Sequence, residues 1–490
     1  MKKRVLSLLM TLALCFTMLP TAAVAEMVGA NTAGAYAVGE DTGGQGKQDE
    51  QKQDEAVQAA QALIDALPEE VTADGAEELQ AQLIALEAAL EALTDEQLAA
   101  LDMARYEALC AALTELTAEQ AGEHTHPICG AAHTDIGDHT GECANVTWTA
   151  WDGTSDIVYD SSNTAYVYLS GNAEREEPLE IRDGHTLYLC LNGHSLTKTT
   201  EDSNPSFEGV ITIYKGAQFT LCDCRGGGKI THAAGVLGRG VRCGDSSGSA
   251  TFAMFGGEIS GNRVGSTSGA GQDGAGVEVH NGKFILYGGR IADNHVEKVS
   301  NDGGGGVYAH GGSFTMYDGE ISGNTSAGDG GGVSAVGASF TMRGGSITNN
   351  EAKAANGVGG GAALYNDTFE LSGGTISGNS ATRNGGGVYM NKNSYTGLTV
   401  SGSVTINGNK NAAGADDNVY LTSGNSFVIG AKGLKADAKI GVTYADPIAS
   451  GSYVTVARGA NKGYTEGNIT SDQGSDYTIK KEGDDVNLYY

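Results

Sequence analysis

The chain reads as a mainly β protein: a solenoid of short parallel strands, three faces to a coil, with a helical module ahead of it and a β cap behind. Three observations predict this. Glycine supplies 75 of 490 residues and proline only 6, which excludes collagen with its three-residue period and abundant proline. The segment GGGVYAHGGSFTMYDGEISGN at 304–324 returns 26 residues later as GGGVSAVGASFTMRGGSITNN at 330–350. Each unit also holds three stretches of period-two alternation, every one too short to bury an apolar face alone.

Aligned on Phe252, Phe284, Phe314, Phe340 and Phe369, the units of 26–32 residues carry further columns. Met254, Leu286, Met316, Met342 and Leu371 form one, and Ile259, Ile291, Ile321, Ile347 and Ile376 the next. Asn262, Asn294, Asn324, Asn350 and Asn379 follow, and the glycine strand adds Val277, Val307, Val333, Ala362 and Val388. Winding the chain so that like positions lie about 4.8 Å apart turns these columns into a dry interior. Right-handed crossover is the default. Glycines turn the corners with positive φ, and the asparagines satisfy corner amides from rung to rung.

From the N-terminus, MKKR, an apolar run and the AVA at 23–25 predict a cleaved secretory signal of bacterial type over 1–25. The run is short for a membrane span, and no later stretch is expected to cross a bilayer. Residues 26–52 lack periodicity and predict a disordered linker. Over 53–121 glycine nearly vanishes, and Leu79, Leu83, Leu86, Leu90 and Leu93 make a helical stripe. Asp74 with Glu77, and Thr94 with Gln97, have capping-box spacing, so this segment predicts an acidic three-helix bundle. Residues 122–151 form a His/Cys-rich insert and N-cap, 152–420 the solenoid, and 421–490 the C-terminal β cap.

Asp and Glu number 60 against 30 Lys and Arg, a net charge of −30. Such a field repels nucleic acid and anionic lipid. The expected place is outside the cell, secreted or loosely held at its surface. Seven cysteines remain after signal removal, an odd number for a disulfide framework.

The insert concentrates metal-binding chemistry. Cys129, His133, His139 and Cys143 follow a C-x3-H-x5-H-x3-C spacing, with His124 and His126 adjacent. Two thiolates and two imidazoles suit a structural zinc ion; a Cys129–Cys143 disulfide or a plain linker are the alternatives. Trp148 and Trp151 are expected to cover the open apolar end of the first rung. Cys190 and Cys222 occupy matching positions in LYLC and FTLC, which would bring them to disulfide distance.

The layout GGGV…F…I..N resembles the GGA(I/L/V) and FxxN repeats of chlamydial polymorphic membrane proteins and bacterial surface adhesins. LYLCLNGHSL at 187–196 looks like a first-rung segment of right-handed parallel β-helices of the pectin-lyase-like superfamily. The insert is similar to HTHC.CG…H…H segments that precede β-helices in some secreted gut-bacterial proteins, with Pro127 standing where those carry another cysteine. The resemblance implies a fold shared by lyases, glycosidases and non-enzymatic adhesins, with chemistry in the enzymes on outward residues of one sheet.

Outward positions therefore decide the functional expectation. Glu258, Arg290 and Glu320 alternate in charge down one column, as a stabilising ladder would. Glu278, His280, Tyr308 and His310 are the nearest approach to a catalytic patch. Phe255, Tyr287 and Tyr317 form an aromatic strip suited to sugar binding. The expectation is an adhesin-like β-helix that binds extracellular polysaccharide, or a host or microbial surface protein, without catalysis. The alternative is a polysaccharide lyase or glycoside hydrolase.

Overall fold

In the computed structural model the described residues are 56–68, part of 79–109, 124–129, 144–202, 208–265, 273–297, 303–391 and 397–490. The expected signal and linker, Asp74 with Glu77, and His133, His139 and Cys143 lie outside them. The chain divides into two units, Met1–His124 and Thr125–Tyr490.

In the first unit residues 56–65 are helical, as is Asp95–Leu98. Ala60, Ile64, Leu79, Leu83, Leu86, Leu90, Leu98 and Tyr106 share one buried apolar cluster, which gathers the predicted leucine stripe. Thr94 and Gln97 form their capping box in both directions. The Thr94 amide donates to Gln97 Oε1 at 2.9 Å, and the Gln97 amide to Thr94 Oγ1 at 3.4 Å.

The second unit is a parallel β-solenoid of about nine turns. Among the described residues its strands fall into sheets of 15, 20 and 6 members. Strands such as Thr251–Met254, Lys283–Leu286 and Ser313–Met316 build the first. Glu258–Ser260, Arg290–Ala292, Val277–His280 and Val307–His310, with their equivalents, build the second. Two-residue strands such as Arg263–Val264 and His295–Val296 build the third. Like lies over like: Phe252 pairs with Phe284, Phe284 with Phe314, Phe314 with Phe340, and Phe340 with Phe369. The rings of Phe284, Phe314 and Phe340 stack at 4.9 and 5.1 Å between centroids. The Ile and Val columns keep the same register through Ile376 and Val388. Parallel pairing continues past residue 420, Lys439–Tyr444 pairing with Ile469–Ser471. The first sheet ends in antiparallel strands, with Asp485–Tyr489 between Tyr453–Arg458 and Thr478–Glu482.

Beside this apolar interior runs a buried asparagine ladder. Nδ2 of Asn262, Asn294, Asn324, Asn350, Asn379 and Asn409 each donates to Oδ1 of the next asparagine at 2.9–3.0 Å, ending on Asn418. The backbone amide of each donates to the same oxygen at 2.9–3.1 Å. Asn418 Nδ2 then donates to Asp472 Oδ1 at 2.9 Å. The ladder explains the glycine triplets. A Cβ on Gly306 would sit 2.8 Å from Gly332 O and 2.9 Å from Asn324 Nδ2, while Gly304 holds φ +94°. The triplet serves close approach at its third glycine and a corner at its first.

Candidate functional site

The outward residue that follows each Phe-x-Met or Phe-x-Leu defines one continuous column. Tyr168 stands over Cys190 and Cys190 over Cys222. Because Leu221 pairs with Met254, Phe255 comes next, then Tyr287, Tyr317 and Arg343. The thiols and the predicted aromatic strip are therefore one feature, and Phe255 packs in the cluster that holds Cys190, Cys222 and Trp148. Its fourth-position letters in LYLC, FTLC, FAMF, FILY and FTMY carried that signal. Phe255 stacks on Tyr287 at 4.5 Å and Tyr287 on Tyr317 at 5.0 Å, with Arg343 over the Tyr317 ring at 5.0 Å. The ring faces are spent on one another, so the strip turns edges outward rather than a flat stacking platform.

A glycine pair follows Phe255 and Tyr287, Asp318 and Gly319 follow Tyr317, and the charged column comes next. Lys229–Glu258, Glu258–Arg290 and Arg290–Glu320 are ion pairs of 3.4, 3.1 and 3.4 Å. Burial works to raise the Glu258 pKa, but the Ser260 hydrogen bond and the cations Lys229 and Arg290 hold it below the ordinary value. Asp223, Glu258, Arg290, Asp318 and Glu320 line a groove of about 530 Å³ across successive turns. Its floor is main chain: a Cβ on Gly289, at φ +91°, would meet Gly257 O at 2.7 Å.

The patch expected around Glu278 is built differently. Glu278 and Tyr308 point away from the core, yet both are buried, at 6 % and 7 % exposure. Residues 273–274 lie over them: a Cβ on Gly274 would meet Tyr308 Cβ at 2.9 Å. Glu278 Oε2 receives Arg239 at 2.8 Å and Arg242 at 2.9 Å, while His280 Nδ1 is 3.8 Å from Oε1. Burial favours the neutral acid, but Arg239, the His280 hydrogen bond and Arg242 together keep its pKa low. That chemistry anchors the side chain as a carboxylate. His310 is exposed and meets His280 edge to face at 5.1 Å. Arg239, fully buried, donates to the carbonyls of Asp273, Gly274 and Glu208. Nothing in the local sequence around Arg239 announced this role.

At the first turns, Trp151 joins the main core while Trp148 packs on the outer side of the sheet. An odd spacing of three along a strand sends two side chains to opposite faces. Trp148 stacks on His126 at 4.6 Å and donates from Nε1 to the His126 carbonyl at 3.1 Å. Cys129 is buried. Cys190 and Cys222 stand in register but as thiols. In-register parallel neighbours about 4.8 Å apart lie beyond the usual Cβ–Cβ span of a disulfide. Ligand atoms of His126, Cys190 and Cys224 come within 4.8 Å of one another.

No family model, curated protein or solved structure matches this chain.

Proposed function

We propose that this is a secreted or cell-surface, adhesin-like protein that binds extracellular glycan without catalysis. In this reading the solenoid is a right-handed, three-faced β-helix of the pectin-lyase-like kind. The leucine-rich unit is a three-helix bundle that presents it, and the antiparallel strands after 450 cap its far end. One observation carries the binding role: the corner groove, with charges alternating through Glu258, Arg290 and Glu320 over a floor of glycine backbone. A groove that repeats its donors and acceptors turn by turn suits a linear polymer whose hydroxyls repeat along its length. The flanking tyrosines add ring edges and phenol groups at its border. The commitment of Glu278 to two arginines argues against acid–base work on that face, since a carboxylate so held transfers no proton.

Glycan-array binding by the full chain, weakened in Arg290→Ala and Tyr287→Ala, tests the reading. A reducing-sugar and unsaturated-product screen over acidic polysaccharides tests the rival. Turnover abolished by His310→Ala would replace the binding role with a lyase or hydrolase.

A further inference from the structure

His126, Cys190 and Cys224 all belong to the second unit and come from three separate stretches: the strand His124–Pro127, the end of the strand Thr186–Cys190, and the turn after Gln218–Cys222. One imidazole nitrogen and two sulfurs meet within 4.8 Å. Tetrahedral zinc with bonds of about 2.0–2.3 Å has ligand atoms roughly 3.3–3.8 Å apart. The gap is closed by about an ångström of side-chain rotation.

Two details fit a metal better than a chance meeting of polar groups. His126 Nδ1 lies 2.6 Å from the Pro127 carbonyl. A carbonyl only accepts, so in the neutral imidazole the proton sits on Nδ1 and the Nε2 lone pair is the one offered to a metal. This is the outer-shell hydrogen bond that metal-binding histidines ordinarily make. Trp148 stacks on the imidazole and fixes its plane.

We propose that His126, Cys190 and Cys224 bind a zinc ion that ties the segment leading into the solenoid to its first turns. Two sulfurs and an imidazole select a borderline-soft, tetrahedral cation over calcium or magnesium, which want oxygen. The site differs from the C-x3-H-x5-H-x3-C set: of those four residues it uses none.

The test uses the full chain, stripped with chelator under reducing conditions and reloaded with zinc or cobalt(II) chloride alone. The wild type is expected to retain about one zinc per chain and to give the charge-transfer absorption of cobalt–thiolate bonds. His126→Ala and Cys224→Ser, both at partly exposed positions, are expected to lower zinc content at least about tenfold while far-UV circular dichroism keeps the β signal. Cys243→Ser, a buried thiol elsewhere, should keep the metal. The proposal fails if His126→Ala and Cys224→Ser bind zinc like the wild type, if Cys129→Ser alone abolishes binding, or if reduced wild type takes up none.

Discussion

Replacing Asn324 with alanine cuts the asparagine ladder at its middle. Asn324 Oδ1 accepts from the Asn294 amide and from Asn294 Nδ2, both at 3.0 Å. Its Nδ2 donates to Ile291 O and to Asn350 Oδ1, both at 2.9 Å. After truncation Asn294 Nδ2 still reaches Ile259 O, and Asn350 Oδ1 still receives the amide of residue 324. The Asn294 N–H loses its bond in a fully buried place, while the Ile291 carbonyl, in the strand Arg290–Ala292 that pairs with Glu320–Ser322, loses only the side-chain donor. A buried main-chain N–H left without a partner costs roughly 1–3 kcal/mol, so with the weakened Ile291 acceptance the change costs about 2–3 kcal/mol. For a unit of this size that is roughly 3–4 °C in Tm. Neighbouring Asn349 is exposed with φ +56°, so Asn349→Gly serves as the control and should stay within about 0.5 kcal/mol. Asn324→Asp sharpens the test. Its carboxylate keeps the acceptor but turns a charge toward two oxygens, so that variant should be the least stable at pH 7. It should recover as falling pH restores a proton to donate. Thermal unfolding followed by circular dichroism, with hydrogen exchange at the Asn294 amide, reads all three. An Asn324→Ala midpoint within about 1 °C of the Asn349→Gly control would refute the argument that the ladder stabilises the corners.

Further outcomes follow from other buried groups. Asp417 is 2 % exposed, its Oδ2 accepts from the Gly385 amide, and burial pushes its pKa up to about 6. A carboxyl raised above its unfolded value near 3.9 contributes most below that pH and loses its contribution as pH rises to about 6. Asp417→Asn should flatten this stretch of the stability profile and gain up to about 3 kcal/mol at pH 7, read by urea unfolding across pH. Glu278 has the opposite sign. Its depressed pKa means a contribution present above the ordinary carboxylate range and lost as pH falls through its lowered value. Glu278→Gln leaves Arg239 and Arg242 buried without their counter-charge and should cost about 3–5 kcal/mol at pH 7. Arg290, half exposed in its ladder, should matter little: Arg290→Met is expected to cost under about 1 kcal/mol, with the difference shrinking in high salt.

The solenoid interior was legible because its code is positional. A Phe, Met, Ile or Asn that returns at the same place in every unit must stack on its own kind once the units coil, as Phe284, Phe314 and Phe340 do. The Thr94–Gln97 cap was legible because it is local. Glu278 and Tyr308 take the outward side that alternation predicts, but their burial was not legible, since alternation tells only which side of a strand a residue takes. It does not tell that the loop carrying Asp273 and Gly274 folds over that side. The opposite faces of Trp148 and Trp151 were there to be read in their odd spacing. The meeting of His126 with Cys190 and Cys224 was not, because it depends on how the leading strand lies against the first turns, and no repeat encodes that. Cys190 and Cys222 invited a disulfide by their matching positions, yet the rung spacing that aligns them also holds them apart.

Successive units advance along one axis by a single strand spacing. Gln218, Thr251, Lys283 and Ser313 stand in one register column that continues through Ser339 to Thr368, and Thr164 lies two turns before Gln218. Spin labels attached through a ketone side chain, which leaves the native thiols alone, can be placed pairwise at Gln218 and Thr368 and at Thr164 and Thr368. Pulsed dipolar spectroscopy should give separations near 24 Å and 34 Å, five and seven spacings of about 4.8 Å, plus the same label offset in both. Separations that fail to grow with the number of intervening turns would contradict the account.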